Sequence, residues 1–283
     1  MYSILISTIS GLMTYEIMPA LLELLRKEGA LRQNYRGELI PVGAGFLVIW
    51  AGCVTSPLLL SPLFYPNEGL GVSLAALYIT TVLGYGLLGL FDDLVGSRRE
   101  TGLKGHGIAL IQGHLTSGAI KALQGVAFGL VLAALRLGAI DPLSRQWLFA
   151  FLVDGLIMPI AANTLNLLDL RPGRAGKVFL VSSLLLMLTG NPISLALLPW
   201  IGGLLGYLPF DLKGEAMMGD VGANALGALL GLTSCCVLSL TVRFLLLISL
   251  IILHLLAERI SLSQVIENHS LLEALDRWGR KGP

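Results

Sequence analysis

The sequence predicts an all-α fold: a polytopic integral membrane helix bundle of about nine transmembrane helices, N-terminus outside and C-terminus cytoplasmic. Three observations carry this. Hydrophobic types make up 55% of the 283 residues and charged types only 13%, about half the charged share of a soluble domain. Apolar runs near the ~20 residues needed to cross a hydrocarbon core recur along the whole chain. The basic residues gather between alternate runs. The same composition excludes a disordered chain, a secreted disulfide scaffold and an ordinary cytosolic enzyme. With 19 Lys+Arg against 18 Asp+Glu, the charge balance gives no sign of a nucleic-acid partner.

In chain order the predicted spans are 3–25, 41–63, 70–91, 118–139, 147–168, 177–190, 192–210, 221–240 and 242–257. The first run is apolar from Tyr2 and has no basic start, so it reads as a structural helix rather than a cleaved signal. Its Glu16 and Glu23 predict an early end or a protein-facing side. The sixth run is short, and Gly190-Asn191-Pro192 behind it reads as a tight helix–helix turn. No internal repeat and no soluble domain interrupts the series. Residues 1–257 therefore form one membrane domain, and 258–283 an amphipathic tail. Cys53, Cys235 and Cys236 all lie in apolar runs and read as packing residues.

Nine spans leave the connections 26–40, 92–117, 169–176, 211–220 and the tail on one side of the bilayer. That side holds 16 of the 19 basic residues, including Lys121 and Lys177 just inside their helices; only Arg136, Arg145 and Arg243 fall opposite. Cytoplasmic loops collect Lys and Arg, which sets the predicted orientation.

The carboxylates sort the same way. Asp92 and Asp93 end the third span, Asp169 ends the fifth in Asn163-Thr-Leu-Asn166-Leu-Leu-Asp169, and Asp220 opens the eighth in Met218-Gly-Asp-Val-Gly-Ala-Asn224. Four acids from three helices thus reach one depth at one face. Such a group is costly at the end of an apolar span unless a cation neutralises it. Hard oxygen ligands without His or Cys suit Mg²⁺ or Mn²⁺. Arg36, Lys104, Arg171, Arg174 and Lys177 form a basic rim suited to phosphate. His106 is a weaker candidate in the second inner loop. Metal, acids and a basic rim at a membrane surface point to phosphoryl transfer involving a lipid. Asp154, in mid-span, reads as a buried hydrogen-bonded residue in preference to a proton-pathway residue.

Four ordered signatures resemble the polyprenyl-phosphate N-acetylhexosamine-1-phosphate transferases. They are Asn34-Tyr-Arg-Gly37 followed by Ile40-Pro41, then Phe91-Asp92-Asp93, Asn163-Thr-Leu-Asn166-Leu-Leu-Asp169, and Met218-Gly219-Asp220-Val-Gly222. The resemblance implies a multi-pass enzyme of the bacterial inner membrane with its active site on the cytoplasmic face. Its lipid phosphate would attack the β-phosphate of a UDP-aminosugar and release UMP. It implies Mg²⁺ on Asp220 with Asp92 and Asp93 beside it, and leaves Asp92 or Asp93 open as the group that positions or deprotonates the lipid phosphate. Asn166 and Asp169 would help order the nucleotide side, Asn163 is counted with them as substrate-binding, and a homodimer is left open.

The chain departs from the family pattern in three places. Leu170-Arg171-Pro172-Gly173-Arg174 stands where the family has a second acid; Met217 stands where it has Phe; the histidine cluster after the ninth span is absent. Two further readings stand beside the enzyme: a catalytically silent relative acting as a scaffold or lipid sensor, and an ion-coupled transporter. Retention of all four acids argues against the first. Their place at one interface, not the midplane, argues against the second. The tail's Leu271, Leu272, Leu275 and Trp278 form a helical stripe too short to cross a bilayer, which predicts either a surface anchor or a lid over the site.

Overall fold

The computed structural model describes residues 2–59, 68–95, 117–138 and 144–280. Helix α1 (Tyr2–Lys27) leads into a hairpin of β1 (Leu31–Gln33) and β2 (Leu39–Pro41), antiparallel, with Leu31 opposite Pro41. There follow α2 (Gly45–Leu59), α3 (Glu68–Val95), α4 (Ser117–Leu137), α5 (Arg145–Leu168) and α6 (Arg174–Met187). A 3₁₀ turn at Pro192–Leu197 runs into α7 (Leu198–Leu212), then α8 (Gly219–Val237) and α9 (Leu240–Ala257). The tail folds as α10 (Leu262–Glu267) and α11 (Ser270–Arg277).

Seven of these helical segments are long and apolar enough to cross a membrane. The protein is a polytopic helical membrane protein, and each of the nine predicted spans holds a helix, although α2 and α6, with 15 and 14 residues, are shorter. The all-α expectation needs one correction. Residues 31–41 are a hairpin, shaped by Asn34, whose side-chain oxygen accepts from the amides of Arg36 (2.8 Å) and Glu38 (3.0 Å). Gly37 completes that turn at φ +80°, where other residues are strained. A second correction concerns Glu16: α1 runs unbroken past it, and Glu16 is exposed.

Small residues set how closely the helices approach, as expected where lipid supplies no hydrophobic drive between them. On α1 the buried residues recur every fourth position, Ile6, Ser10, Thr14, Met18 and Leu22. This stripe meets α7 at Gly202 and Gly206, where an added Cβ would lie 1.9 Å from Ser7 O and 2.2 Å from Gly11 O. Gly52 on α2 makes room for the fully buried Trp200 ring. The central helix is α8, buried over almost its whole length. Gly227 and Gly231 let it lie against the α5 backbone at Ala161 and Met158, and Thr233 receives the Tyr78 hydroxyl of α3 at 3.0 Å.

Far from the four acids, Asp154 of α5 is 0% exposed. Its carboxylate takes Arg243 of α9 at 2.5 and 2.7 Å and also Arg136 of α4. The structural reading of Asp154 holds, and two of the three basic residues outside the main group meet there.

Candidate functional site

Two glycine contacts bring the acids together. On α3, Gly89 lies against the start of α8: a Cβ at Gly89 would stand 2.2 Å from Asp220 O and 2.7 Å from Val221 N. One turn later α3 presents Asp92 and Asp93. At the other partner, Gly219 adopts φ +75°, which turns the chain into α8 and leaves space that a Cβ would take from Asp93 Oδ2, 2.9 Å away. Gly222, one turn into α8, packs on Gly45 of α2 with no space for a side chain. The Gly-Asp-x-Gly motif is therefore a packing device that aims Asp220 at the end of α3.

Asp220 Oδ2 accepts from Lys121 Nζ at 2.5 Å and from Asn166 Nδ2 at 2.9 Å. The same Lys121 ammonium reaches Asp92 Oδ2 at 3.0 Å. Asp93 turns the other way. Its Oδ2 accepts the amide of Val221 at 3.2 Å, an anion on the positive end of α8. Its Oδ1 takes Arg32 Nη1 at 3.2 Å, and Arg32 also donates to the Asp93 carbonyl. Asp169 caps α5 and accepts from the Gly219 amide. Its carboxyl is enclosed, although the residue as a whole keeps some exposure. Burial, and then the negative charges of Asp211, Asp220 and Asp93, hold that carboxyl well above the usual carboxylate range.

The structure thus gathers Asp92, Asp93, Asn166, Asp169 and Asp220 at one end of the bundle. Asn163 lies a turn earlier on α5, exposed and outside the hydrogen bonds of this cluster. Arg36 sits in the hairpin turn beside Tyr35, its Nε 2.8 Å from the phenol oxygen. Arg171, Arg174 and Lys177 are engaged by the tail. Arg171 pairs with Glu267 at 2.8 Å and lies over the Tyr35 ring. Arg174, 4% exposed, holds Asp276 through two 2.9 Å bonds. Lys177 donates to the Asp276 carbonyl at 2.6 Å. Lys104 and His106 lie outside the described residues.

Sequence reasoning missed three participants. Lys121 and Arg32 were counted only as positive charge. A lysine four residues into an apolar helix does signal a buried acid partner, because it is costly without one. Asp211 of α7 is buried and accepts from the Gly173 amide at 2.9 Å, which fixes the loop behind Asp169. That loop walls a shallow open cleft lined by Asn34, Tyr35, Asp169, Arg171, Asp211 and Met217.

Among the described residues no three acidic, His or Cys side chains converge closely enough to hold a metal unaided. Two carboxylates, Asp92 and Asp220, do converge on a single cationic centre, the Lys121 ammonium. Mg²⁺ is commonly held by one or two carboxylates with substrate phosphates supplying the rest. The donor set fits a divalent cation that arrives with a phosphorylated substrate.

A family model described as "Glycosyl transferase family 4" matches residues 75–240, more than half of the chain. A phospho-N-acetylmuramoyl-pentapeptide-transferase of Desulforamulus reducens is 28% identical over 250 residues, covering 81% of this chain and 70% of that protein. One of Kosmotoga olearia is 29% identical over 215 residues, covering 73% of this chain and 62% of that protein.

Proposed function

The chain belongs to glycosyl transferase family 4, and on that premise we propose that it transfers a sugar 1-phosphate, of N-acetylhexosamine type, from a UDP-sugar to a polyprenyl phosphate in the synthesis of a bacterial cell-envelope glycan. The observation that carries the reading is the convergence of Asp92 and Asp220 on Lys121, at the end of three helices and beside the start of α8. Both named relatives are phospho-N-acetylmuramoyl-pentapeptide-transferases.

In the proposed reaction an oxygen of the lipid phosphate attacks the β-phosphorus of the donor. A phosphorus–oxygen bond forms there, the bridge to the α-phosphorus breaks, and UMP leaves. Attacking group and target are both anions, so bringing them together is most of the task. Lys121 supplies a fixed cation between Asp92 and Asp220 and is placed to pass from these carboxylates to a phosphate oxygen. Asn166 keeps Asp220 oriented, and Arg32 with the Val221 amide keeps Asp93 oriented. Bound Mg²⁺, held by Asp220 and Asp92 with Asp93 behind them, would supply neutralisation of the diphosphate charge. The cleft beside Asp169 would receive the nucleotide, with Tyr35 and Arg171 on one wall.

The site is assigned to the cytoplasmic face of the inner membrane on the positive-inside distribution. Purified protein is given polyprenyl phosphate, Mg²⁺ and a panel of UDP-sugars, and UMP is measured. One donor should release UMP only when the lipid is present, and Asp220→Asn should abolish that release while the protein still folds. UMP release independent of lipid, or full activity in Asp220→Asn, overturns the reading. A reporter fused after Pro283 should read cytoplasmic; an external reading overturns the orientation.

A further inference from the structure

The segment after α9 has two faces with different fates. Its polar face is committed to the bundle. Asp276 takes Arg174 through both Nε and Nη2, and takes Arg280 at 2.7 Å. Ser263 Oγ accepts from Arg174 Nη1 at 2.9 Å, and Arg280 Nε donates to the Pro172 carbonyl at 2.7 Å. With Lys177 and Arg171 added, these contacts fix the roll of α11 about its own axis. The opposite face then points away from the protein. It carries Leu271, Leu275 and Trp278 at 63%, 56% and 75% exposure, with Leu272 beside them. Residues 271, 275 and 278 are spaced four and three apart, one helix face.

Exposed apolar side chains also precede this face in the chain. The last turns of α9 expose Ile251, Ile252, Leu255 and Leu256, and the link to α11 exposes Ile260 and Val265. α9 is long and apolar enough to cross a membrane, so these side chains face lipid, and exposed apolar side chains recur along the chain from there to Trp278. An eight-residue helix is about 12 Å long and cannot cross a bilayer. A short amphipathic helix that follows a lipid-facing span and ends in Trp has the form of an interfacial element.

We propose that α11 lies in the plane of the bilayer surface, on the side of the Asp92–Lys121–Asp220 cluster, with Leu271, Leu275 and Trp278 in the boundary between headgroups and acyl chains. Its partner is the phospholipid surface. The polar face meanwhile holds the loop Asp169–Arg174, through Arg174, Arg171 and the Pro172 carbonyl. That loop walls the cleft, so the tail straps the wall of the cleft to the membrane. The strap stands on geometry alone and does not depend on which reaction the site performs.

The test uses the full chain in phospholipid nanodiscs, wild type and Trp278→Phe. The difference between their emission spectra isolates Trp278 from the other three tryptophans. The Trp278 spectrum should be blue-shifted from that of indole in water. It should be quenched about twofold or more by lipids brominated near the headgroup, as for a side chain buried in that boundary. Bromine at the chain ends should quench it less, and iodide in the buffer should quench it little. Leu271→Ser/Leu275→Ser leaves the Asp276 contacts in place and should cut the bromine quenching; this comparison stands on its own if Trp278→Phe fails to fold. Quenching by iodide with none by bromine places α11 in water and overturns the proposal. Insensitivity to both means that protein covers the face, a second copy or another partner, and overturns it equally.

Discussion

Replacing Gly89 by Ala tests whether helix packing sets the geometry of the site. Gly89 lies within α3 at an ordinary helical φ. Alanine there costs no backbone strain, and intrinsic propensity favours it by about 1 kcal/mol. The packing term has the opposite sign. The new Cβ would lie 2.2 Å from Asp220 O, 2.4 Å from Asp220 C and 2.7 Å from Val221 N, all main-chain atoms. A comfortable carbon–oxygen contact is longer by roughly 1 Å, so α3 and the start of α8 must separate by about that much. Overpacking of this kind costs about 1–3 kcal/mol, which cancels or exceeds the propensity gain. The larger effect falls on the site: Asp92 sits one turn beyond Gly89, and a 1 Å misplacement of reacting groups costs on the order of a hundredfold in rate. Gly125→Ala is the matched control, since its Cβ would meet Pro159 Cβ at 3.6 Å, an ordinary contact. UMP release and thermal unfolding in detergent, measured for both, decide the matter. Gly89→Ala should lose about two orders of magnitude in turnover with a small change in Tm, and Gly125→Ala should lose neither. Full turnover in Gly89→Ala refutes the argument that this contact positions the acids.

Lys121→Gln removes the cation between Asp92 and Asp220; turnover should fall by at least a hundredfold, the scale of one lost electrostatic contact, and raised Mg²⁺ should recover part of it if a metal takes the same place. Asp169 is held above the usual carboxylate range, so the fold binds its proton more tightly than the unfolded chain does. Stability should therefore fall as pH rises from the ordinary carboxylate range upward, and Asp169→Asn should flatten that fall in a melting series while lowering turnover. Asp276 behaves oppositely. Burial alone would raise its carboxyl, but the Arg174 and Arg280 bonds hold it below the usual range. The stability it contributes is present above an unfolded pKa near 3.9 and is lost as pH falls through the lower folded value. Asp276→Asn should remove that acid-side loss and leave Arg174 buried without its anion, at about 3–5 kcal/mol, read by chemical unfolding.

The helices were legible because an apolar run of bilayer length has few alternatives, and the acid cluster because four carboxylates shared one side of nine spans. Lys121 and Arg32 were not, because a count of positive charges by side says nothing about which acid each one meets. The hairpin at 31–41 escaped notice since three-residue strands carry too little alternation to register. Arg171, Arg174 and Lys177 read as a phosphate rim because they follow Asp169 closely, on the side of the membrane that holds the acids. The partner of Arg174 is Asp276, 102 residues later, and no local pattern announces a pairing at that distance. The closeness of α3 to α8 was equally invisible: Gly89 looks like any helical glycine until Asp220 is set beside it.

The Arg136–Asp154–Arg243 group has a consequence for how the chain is made. α4 and α5 leave the ribosome together, and within that pair Asp154 can enter lipid already neutralised by Arg136. Arg243 arrives 89 residues after Asp154, on a helix so apolar that the insertion machinery will accept it early. Until α9 finds α5, Arg243 lacks the anion it meets in the fold. α9 is therefore drawn to the earlier pair by electrostatic need, and a chain cut short before Leu240 keeps the neutral Arg136–Asp154 pair, which can wait in the membrane for its missing neighbour.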